Sequence, residues 1–324
     1  MIKIDNLTRR YGSFAAVDDV SFRIERGEVV GLLGHNGAGK TTIMRMLTGF
    51  LEPTSGSIRI DELVMGPDTA AIQRRIGYLP ENCPIWPEMS VLEFLEYQAM
   101  LHEVPEERRS AAIAAAIRRT ALGDRATQSI ATLSRGYRQR VGVAQAILHS
   151  PDIIILDEPT NGLDPTQILH MRELIRELAR SATVIVSTHI LQEVQAVCQR
   201  VLILRAGRKV IDAQLAELQQ AARLLVTLDA AEPLACPVLA AVPGVSSVKL
   251  LASLPSPAGL RHQYALSADE SSTPDVARAI HAAGFALFGL LREQRTLEAV
   301  FADVNAGLTN GAAGASREEV ARAA

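Results

Sequence analysis

The chain is 324 residues long, 48 % hydrophobic and 21 % charged, with a formal net charge of −3. This is an ordinary globular composition, with room for one large domain and a small one or for two of medium size, and it offers no basic footprint for nucleic acid, so no nucleic-acid partner is expected. Cys83, Cys198 and Cys236 are widely scattered and read as free thiols of a reducing compartment. The N-terminus "MIKIDNLTRRYGS" lacks the basic-then-apolar layout of a signal peptide, and no run approaches the ~18 consecutive apolar residues of a membrane span. A soluble, intracellular protein is expected, with any membrane role borrowed from a partner.

Residues 1–30 alternate as short strands, "MIKIDNL" and then "VDDVSFRIERGEVVGLLG". A glycine-rich turn follows, with a helix from about Thr41 to Leu47, then strands at "SGSIRI" and "IGYLP". From Val91 to about Arg119 the spacing becomes helical, in "VLEFLEYQAML" and the Ala-rich "RRSAAIAAAIRRTAL". Strands resume at "IIIL" (153–156) and "VIV" (184–186), each followed by a helical stretch, and this alternation predicts a βαβ sheet covered on both faces. "VLIL" and "RKVI" close the region as a hairpin about "RAGR". Composition shifts near 220–236. Beyond it, "LLVTL", "VSSVKLL", "HQYALSA" and "FALFGLLRE" read as strands, and "TPDVARAIHAAG" and "TLEAVFADV" as helices. The expected organisation is α/β: a domain over 1–220 with a helical subdomain at about 88–140, a small α+β domain of ferredoxin-like type over 221–305, and a disordered tail at 306–324.

"GHNGAGKT", residues 34–41, satisfies G-x-x-x-x-G-K-[ST] between a predicted strand and a predicted helix. Glycine lets backbone N–H groups approach phosphate oxygens, and the helix N-terminus adds partial positive charge. Lys40 can then reach the β- and γ-phosphates and the Thr41 hydroxyl can ligate Mg²⁺. A turn with a coincidental lysine would not need that strand and helix around it. "DIIILDEPT" (152–160) places two carboxylates at the C-terminal end of an apolar strand, where open α/β sheets bind ligands. Asp157 is placed to hold Mg²⁺ and Glu158 to orient or deprotonate an attacking water.

The motifs occur in a fixed order along residues 1–215, and in that order the chain resembles the ATP-binding-cassette (ABC) ATPases. Tyr11 stands where the family stacks an aromatic ring on adenine, and "GHNGAGKTT" is the Walker A loop. "IGYLPEN" falls at the Q-loop, "LSRGYRQR" at the signature, "NGLD" (161–164) at the D-loop and "STHILQEV" at the switch. The resemblance implies a P-loop ABC fold, a mixed sheet with a helical subdomain. It also implies ATP and Mg²⁺ as cofactors, bound by Tyr11, Gly34, His35, Asn36, Gly37, Ala38, Gly39, Lys40, Thr41, Thr42, Glu81 and Asp157. Glu158 and His189 become the catalytic residues, and Thr41, Asp157 and Glu81 the metal ligands. Ser134 and Gly136, with a helix beginning near Tyr137, would cap the γ-phosphate of a second copy, so a head-to-tail homodimer is implied.

"YLPEN", "THILQEVQAVC" and the terminal "QRTLEAVFADV" look most like exporter subunits of the gliding-motility type, which pair with ABC-2-type membrane permeases. Such a subunit would sit on the inner face of the cell membrane through that permease. His35, where proline is common, is reminiscent of the ATPase of nitrous-oxide-reductase copper-site maturation, the alternative reading; a non-transport ABC ATPase is the other. Two positions depart from the family pattern. Glu81 replaces the usual glutamine, which adds negative charge near the triphosphate, and Arg135 and Tyr137 alter the common LSGGQ form while Ser134 and Gly136 remain.

Overall fold

The structure is a computed structural model that describes residues 1–220, 223–256, 259–293, 297, 298 and 301. The chain divides into two compact units, one over Met1–Leu215 and one within Ala216–Asp303.

An antiparallel pair opens the first unit, β1 (Ile2–Tyr11) with β2 (Phe14–Ile24). The chain continues through β3 (Val29–Leu33), α1 (Lys40–Leu47), β4 (Ser55–Ile60), β5 (Leu63–Val64), α2 (Thr69–Gln73) and β6 (Ile76–Leu79). Strand β4 pairs with β1, giving a four-stranded antiparallel sheet in the order β2-β1-β4-β5. Three helices follow, α3 (Val91–Leu101), α4 (Glu106–Arg119) and α5 (Arg135–Ile147). Ser90 and Glu93 start α3 with a reciprocal capping box, which satisfies two otherwise orphaned N–H groups. The helical stretch at 91–119 is broken at its middle, where Glu103 takes φ 54° and Pro105 has no N–H with which to continue α3.

The strands that resume are β7 (Ile153–Asp157), β8 (Thr183–Thr188), β9 (Arg200–Arg205) and β10 (Arg208–Gln214), with α6 (Pro165–Leu178) and α7 (Leu191–Val197) between them; α8 (Leu215–Gln220) follows and, apart from Leu215, belongs to the second unit. They form a six-stranded sheet in the order β10-β9-β3-β8-β7-β6, parallel throughout except for the edge strand β10. Every residue of β3, β7 and β8 is buried. This is why their sequences run apolar without alternation: both faces are covered. A single core packs Ile4 and Phe22 of the first sheet, Ile43 and Met44 of α1, and Leu32 and Ile155 of the second sheet. Each such buried side chain contributes about 1.5–3 kcal/mol. Register decides the rest. Leu33 lies opposite Thr188 and Asp157 opposite Ser187, so the C-terminal ends of β3, β7 and β8 stand side by side.

The second unit runs β11 (Arg223–Leu228), α9 (Glu232–Ala240), β12 (Val245–Ser256), β13 (Gly259–Ala268), α10 (Thr273–Ala282) and β14 (Leu287–Glu293). Its sheet is antiparallel in the order β12-β13-β11-β14, the βαββαβ arrangement of ferredoxin-like folds. Helix α9 is absent from the sequence reading because Pro233 and Pro237 look like helix breakers. Pro233 sits in the first turn, where its missing N–H costs nothing. Pro237 forfeits one hydrogen bond, which burial of Ala235 and Leu239 against the sheet offsets. The Tyr264 hydroxyl, buried in the same core, donates to Ala230 O at 2.7 Å. Of the last helix expected at 296–304, Leu297, Glu298 and Phe301 are described and helical; the tail at 306–324 lies outside the described residues.

Candidate active site

A cavity of about 260 Å³ opens at the adjoining ends of β3, β7 and β8. The loop between β3 and α1 forms one wall with His35, Asn36, Gly37, Lys40 and Thr41; Glu158, His189, Asn161 and Glu81 form the others. Loop conformation follows from its glycines. Gly39 caps α1 at φ 102°, and a Cβ there would lie 2.6 Å from Ala16 O, so conformation and space both exclude a side chain. Gly37, at φ 80°, faces open space instead, leaving the backbone bare on the cavity side.

Lys40 is the first residue of α1 and only 6 % of its side chain is exposed. A buried ammonium must be paired. Its Nζ donates to Gly34 O at 2.7 Å and to His35 O at 3.4 Å, and lies 3.5 Å from Glu158 Oε1. The other oxygen of that carboxylate, Oε2, is 2.9 Å from His189 Nδ1. Glu158 thus bridges the loop lysine and the residue after β8. It does so from a left-handed backbone, φ 50°, with its N–H bonded to Ser187 O at 3.1 Å. Such a conformation costs a non-glycine residue of order 1–3 kcal/mol and persists where the surroundings impose it, commonly at functional sites.

Asp157, the last residue of β7, is fully buried. Ser187 donates to its Oδ1, while Oδ2 is buried with no hydrogen-bond partner among the described residues. Burial pushes its carboxyl above the usual range, and the Ser187 and Thr41 hydroxyls pull the other way. An orphaned carboxylate oxygen beside the Thr41 hydroxyl fits a hydrated magnesium ion, which takes oxygen ligands and retains several waters.

The structure therefore brings His35, Asn36, Gly37, Lys40, Thr41, Glu81, Glu158 and His189 to one cavity. Gly34, Ala38, Gly39 and Thr42 shape the loop and helix behind it. Tyr11 is half exposed under the Arg9 guanidinium, 4.7 Å from its ring centre, and does not line the cavity. Ser134 and Gly136 do not line it either. Helix α5 begins at Arg135, two residues before the expected start, because the Ser134 hydroxyl caps it by accepting from Tyr137 N. Asn161 is the lining residue that the sequence reading missed. Its signal in the sequence is its place at the head of "NGLD".

Residues 17–161 match the family model described as ABC transporter. The chain is 38 % identical over 229 residues to the ABC transporter ATP-binding protein NatA of Bacillus subtilis (strain 168), covering 69 % of this chain and 93 % of that one. It is 38 % identical over 210 residues to the bacitracin transport ATP-binding protein BcrA of Bacillus licheniformis, covering 64 % and 68 % respectively. The dimeric structure of MJ0796, a bacterial ABC transporter cassette, matches with a TM-score of 0.62 at 26 % identity, over 66 % of this chain and 99 % of that one. A dimeric post-hydrolysis state of the same cassette, bound to ADP and Pi, matches with a TM-score of 0.61 at 26 % identity, over the same shares. Together with a phosphate loop, Glu158 and His189 gathered at one cavity and Asp157 buried at the strand end behind it, these likenesses place the chain in the ABC transporter family as an ATP-binding subunit, an ATPase that uses ATP and Mg²⁺.

Proposed function

We propose that two copies of this chain close head to tail around two ATP molecules and drive an exporter through an ABC-2-type permease. One observation carries the pairing. Ser134 and Gly136 lie outside the cavity that holds Lys40, Glu158 and His189, so within one chain the signature has no nucleotide to act on. A second copy would supply it, with Ser134 and the Gly136 N–H meeting the γ-phosphate beside a helix N-terminus.

In this reading Lys40 leaves its carbonyl partners for the β- and γ-phosphates. Glu158 takes the proton of the attacking water or orients it, and His189 fixes that carboxylate from 2.9 Å away. Thr41 and Asp157 would hold a magnesium ion, with Glu81 at the cavity edge; when bound, such an ion would offset charge on the phosphate oxygens.

The permease would dock in a separate groove of about 830 Å³ between the first unit's sheet region and its helices. Phe50, 71 % exposed, Tyr78, Leu101 and His102 line it, and the Arg74–Glu103 ion pair stands at its rim. Its occupant is a cytoplasmic helix of the permease. Pro80 and Asn82 line the groove while Glu81, between them, lines the nucleotide cavity, so a helix seated in the groove shares one backbone segment with the nucleotide site. Trp86 lies outside the groove lining, packed against Tyr97 with the rings tilted by 35° and their centres 4.6 Å apart. No helix among the described residues is long and apolar enough to cross a membrane, which fits a subunit that borrows its membrane anchor. NatA and BcrA, the first described as an ABC transporter ATP-binding protein and the second as a bacitracin transport ATP-binding protein, support a transport role.

Purification of the tagged chain from its native membranes tests this. The expected result is co-purification of an integral membrane protein, lost when Phe50→Asp puts a charge in the groove. Recovery of the chain without any membrane protein would overturn the reading.

A further inference from the structure

In "LSRGY" an arginine stands between Ser134 and Gly136, and its side chain lies on the loop that follows the catalytic strand. A Cβ built on Gly162 would fall 2.5 Å from Cζ and 2.8 Å from Nε of Arg135, so the guanidinium fills the space over that residue. Gly162 also has φ +71°. A second contact of the same kind runs the other way. A Cβ on Gly136 would meet Gln167 Nε2 at 2.6 Å, and Gln167 belongs to the capping box that starts α6 with Asp164. The start of α5 and the 161–164 loop are therefore keyed together twice, each time by a long side chain laid on a glycine.

That loop has another side. Asn161 lines the nucleotide cavity, its N–H donates to Glu158 O at 3.1 Å, and Leu163 N–H donates to Thr160 O at 3.2 Å. Displacing Gly162 displaces the residue next to it in the cavity and the anchor on the Glu158 carbonyl. The helix cap does not need Arg135, since Ser134 supplies it.

We infer that Arg135 is a positioning residue for ATP hydrolysis: its guanidinium holds the 161–164 loop so that Asn161 stays in the cavity and Glu158 stays oriented. This rests on the catalytic role proposed for Glu158. In the paired arrangement it has a further consequence, because Arg135 belongs to the signature that meets one nucleotide while the loop it holds borders the other. The two sites are then joined through one side chain, and ATP hydrolysis is cooperative by that route.

The full-length chain tests this with steady-state ATPase kinetics and amide hydrogen exchange on Arg135→Ala, Arg135→Lys, Gly162→Ala and the Arg135→Ala/Gly162→Ala double variant. Arg135→Ala is expected to lower kcat about tenfold with KM changed less than about twofold, the signature of a misplaced catalytic geometry and not of lost binding. It also speeds exchange at the Asn161 and Leu163 amides and removes cooperativity. Arg135→Lys does not rescue, because lysine lacks the flat guanidinium that lies on the glycine. In a Gly162→Ala background, where the Cβ has already displaced the guanidinium, Arg135→Ala costs little more. Wild-type kcat with unchanged exchange overturns the inference. So does a raised KM with kcat retained, or rescue by lysine, each of which marks a direct charge contact with phosphate. Failure of the paired reading shows separately, as a Glu158→Gln chain that stays single on gel filtration with ATP, while the exchange result is read on the nucleotide-free chain.

Discussion

The phosphate loop and the signature carry the same chemical parts, a glycine, a hydroxyl and a helix N-terminus, yet their surroundings are opposite. At the loop, Lys40 and His189 both lie within 3.5 Å of the Glu158 carboxylate, and the three come from the ends of three adjacent strands. At the signature, Ser134 is exposed with its hydroxyl on its own helix, and the space beside Gly136 is filled by Gln167. The loop is furnished as an interior and the signature as a surface. A sheet gathers groups at strand ends because register places those ends together. A helical layer inserted between strands β6 and β7 is under no such constraint, and it presents its cap outward.

The change with the largest expected effect breaks the interior half. Glu158→Gln removes the proposed base but keeps the shape, and is expected to slow hydrolysis by about 10³-fold while ATP still binds; a gel-filtration shift to a stable dimer with ATP is expected with it. Turnover near wild type would remove Glu158 from the mechanism. His189→Ala takes away the partner 2.9 Å from that carboxylate and is expected to cost about 10²-fold in kcat with little change in nucleotide affinity, measured by steady-state kinetics beside fluorescent-nucleotide titration. Near-normal kcat would make the histidine structural.

Ser134→Ala probes the surface half. Loss of its cap lowers stability by about 1 kcal/mol, read by denaturant melts, and hydrolysis falls although single chains still bind nucleotide. Retained hydrolysis would dissolve the contrast between the halves. Glu81→Gln has the smallest effect. Removing a negative charge from the cavity edge raises basal hydrolysis by roughly threefold, and an unchanged rate would leave Glu81 without influence on the nucleotide.

Much of the site was legible because its motifs are local. The spacing from Gly34 to Thr41 depends on one turn, and Asp157 and Glu158 are neighbours at a strand end. The left-handed backbone of Glu158 was not legible, because it belongs with a long-range bond from its N–H to Ser187 O in β8. Asn161 went unnoticed for a related reason: its entry into the cavity is set by how the loop folds back after β7, not by its type. In the second unit the four strands could be read from alternation, whereas α9 could not, since its prolines argue against a helix and only burial of Ala235 and Leu239 overrules them. The start of α5 moved by two residues for the ordinary reason that caps are decided by which hydroxyl reaches which N–H.

By itself the sequence determined the family, the nucleotide and the order of the elements. Each is written in runs of a few residues whose meaning depends on local geometry and on burial that shows in the pattern of apolar side chains. Tertiary structure alone decided which of those residues share a cavity, which face outward, and that Arg135 lies on Gly162 from 27 positions away. Strand register and helix packing act between segments far apart in the chain, and no local spacing records which surfaces they bring into contact.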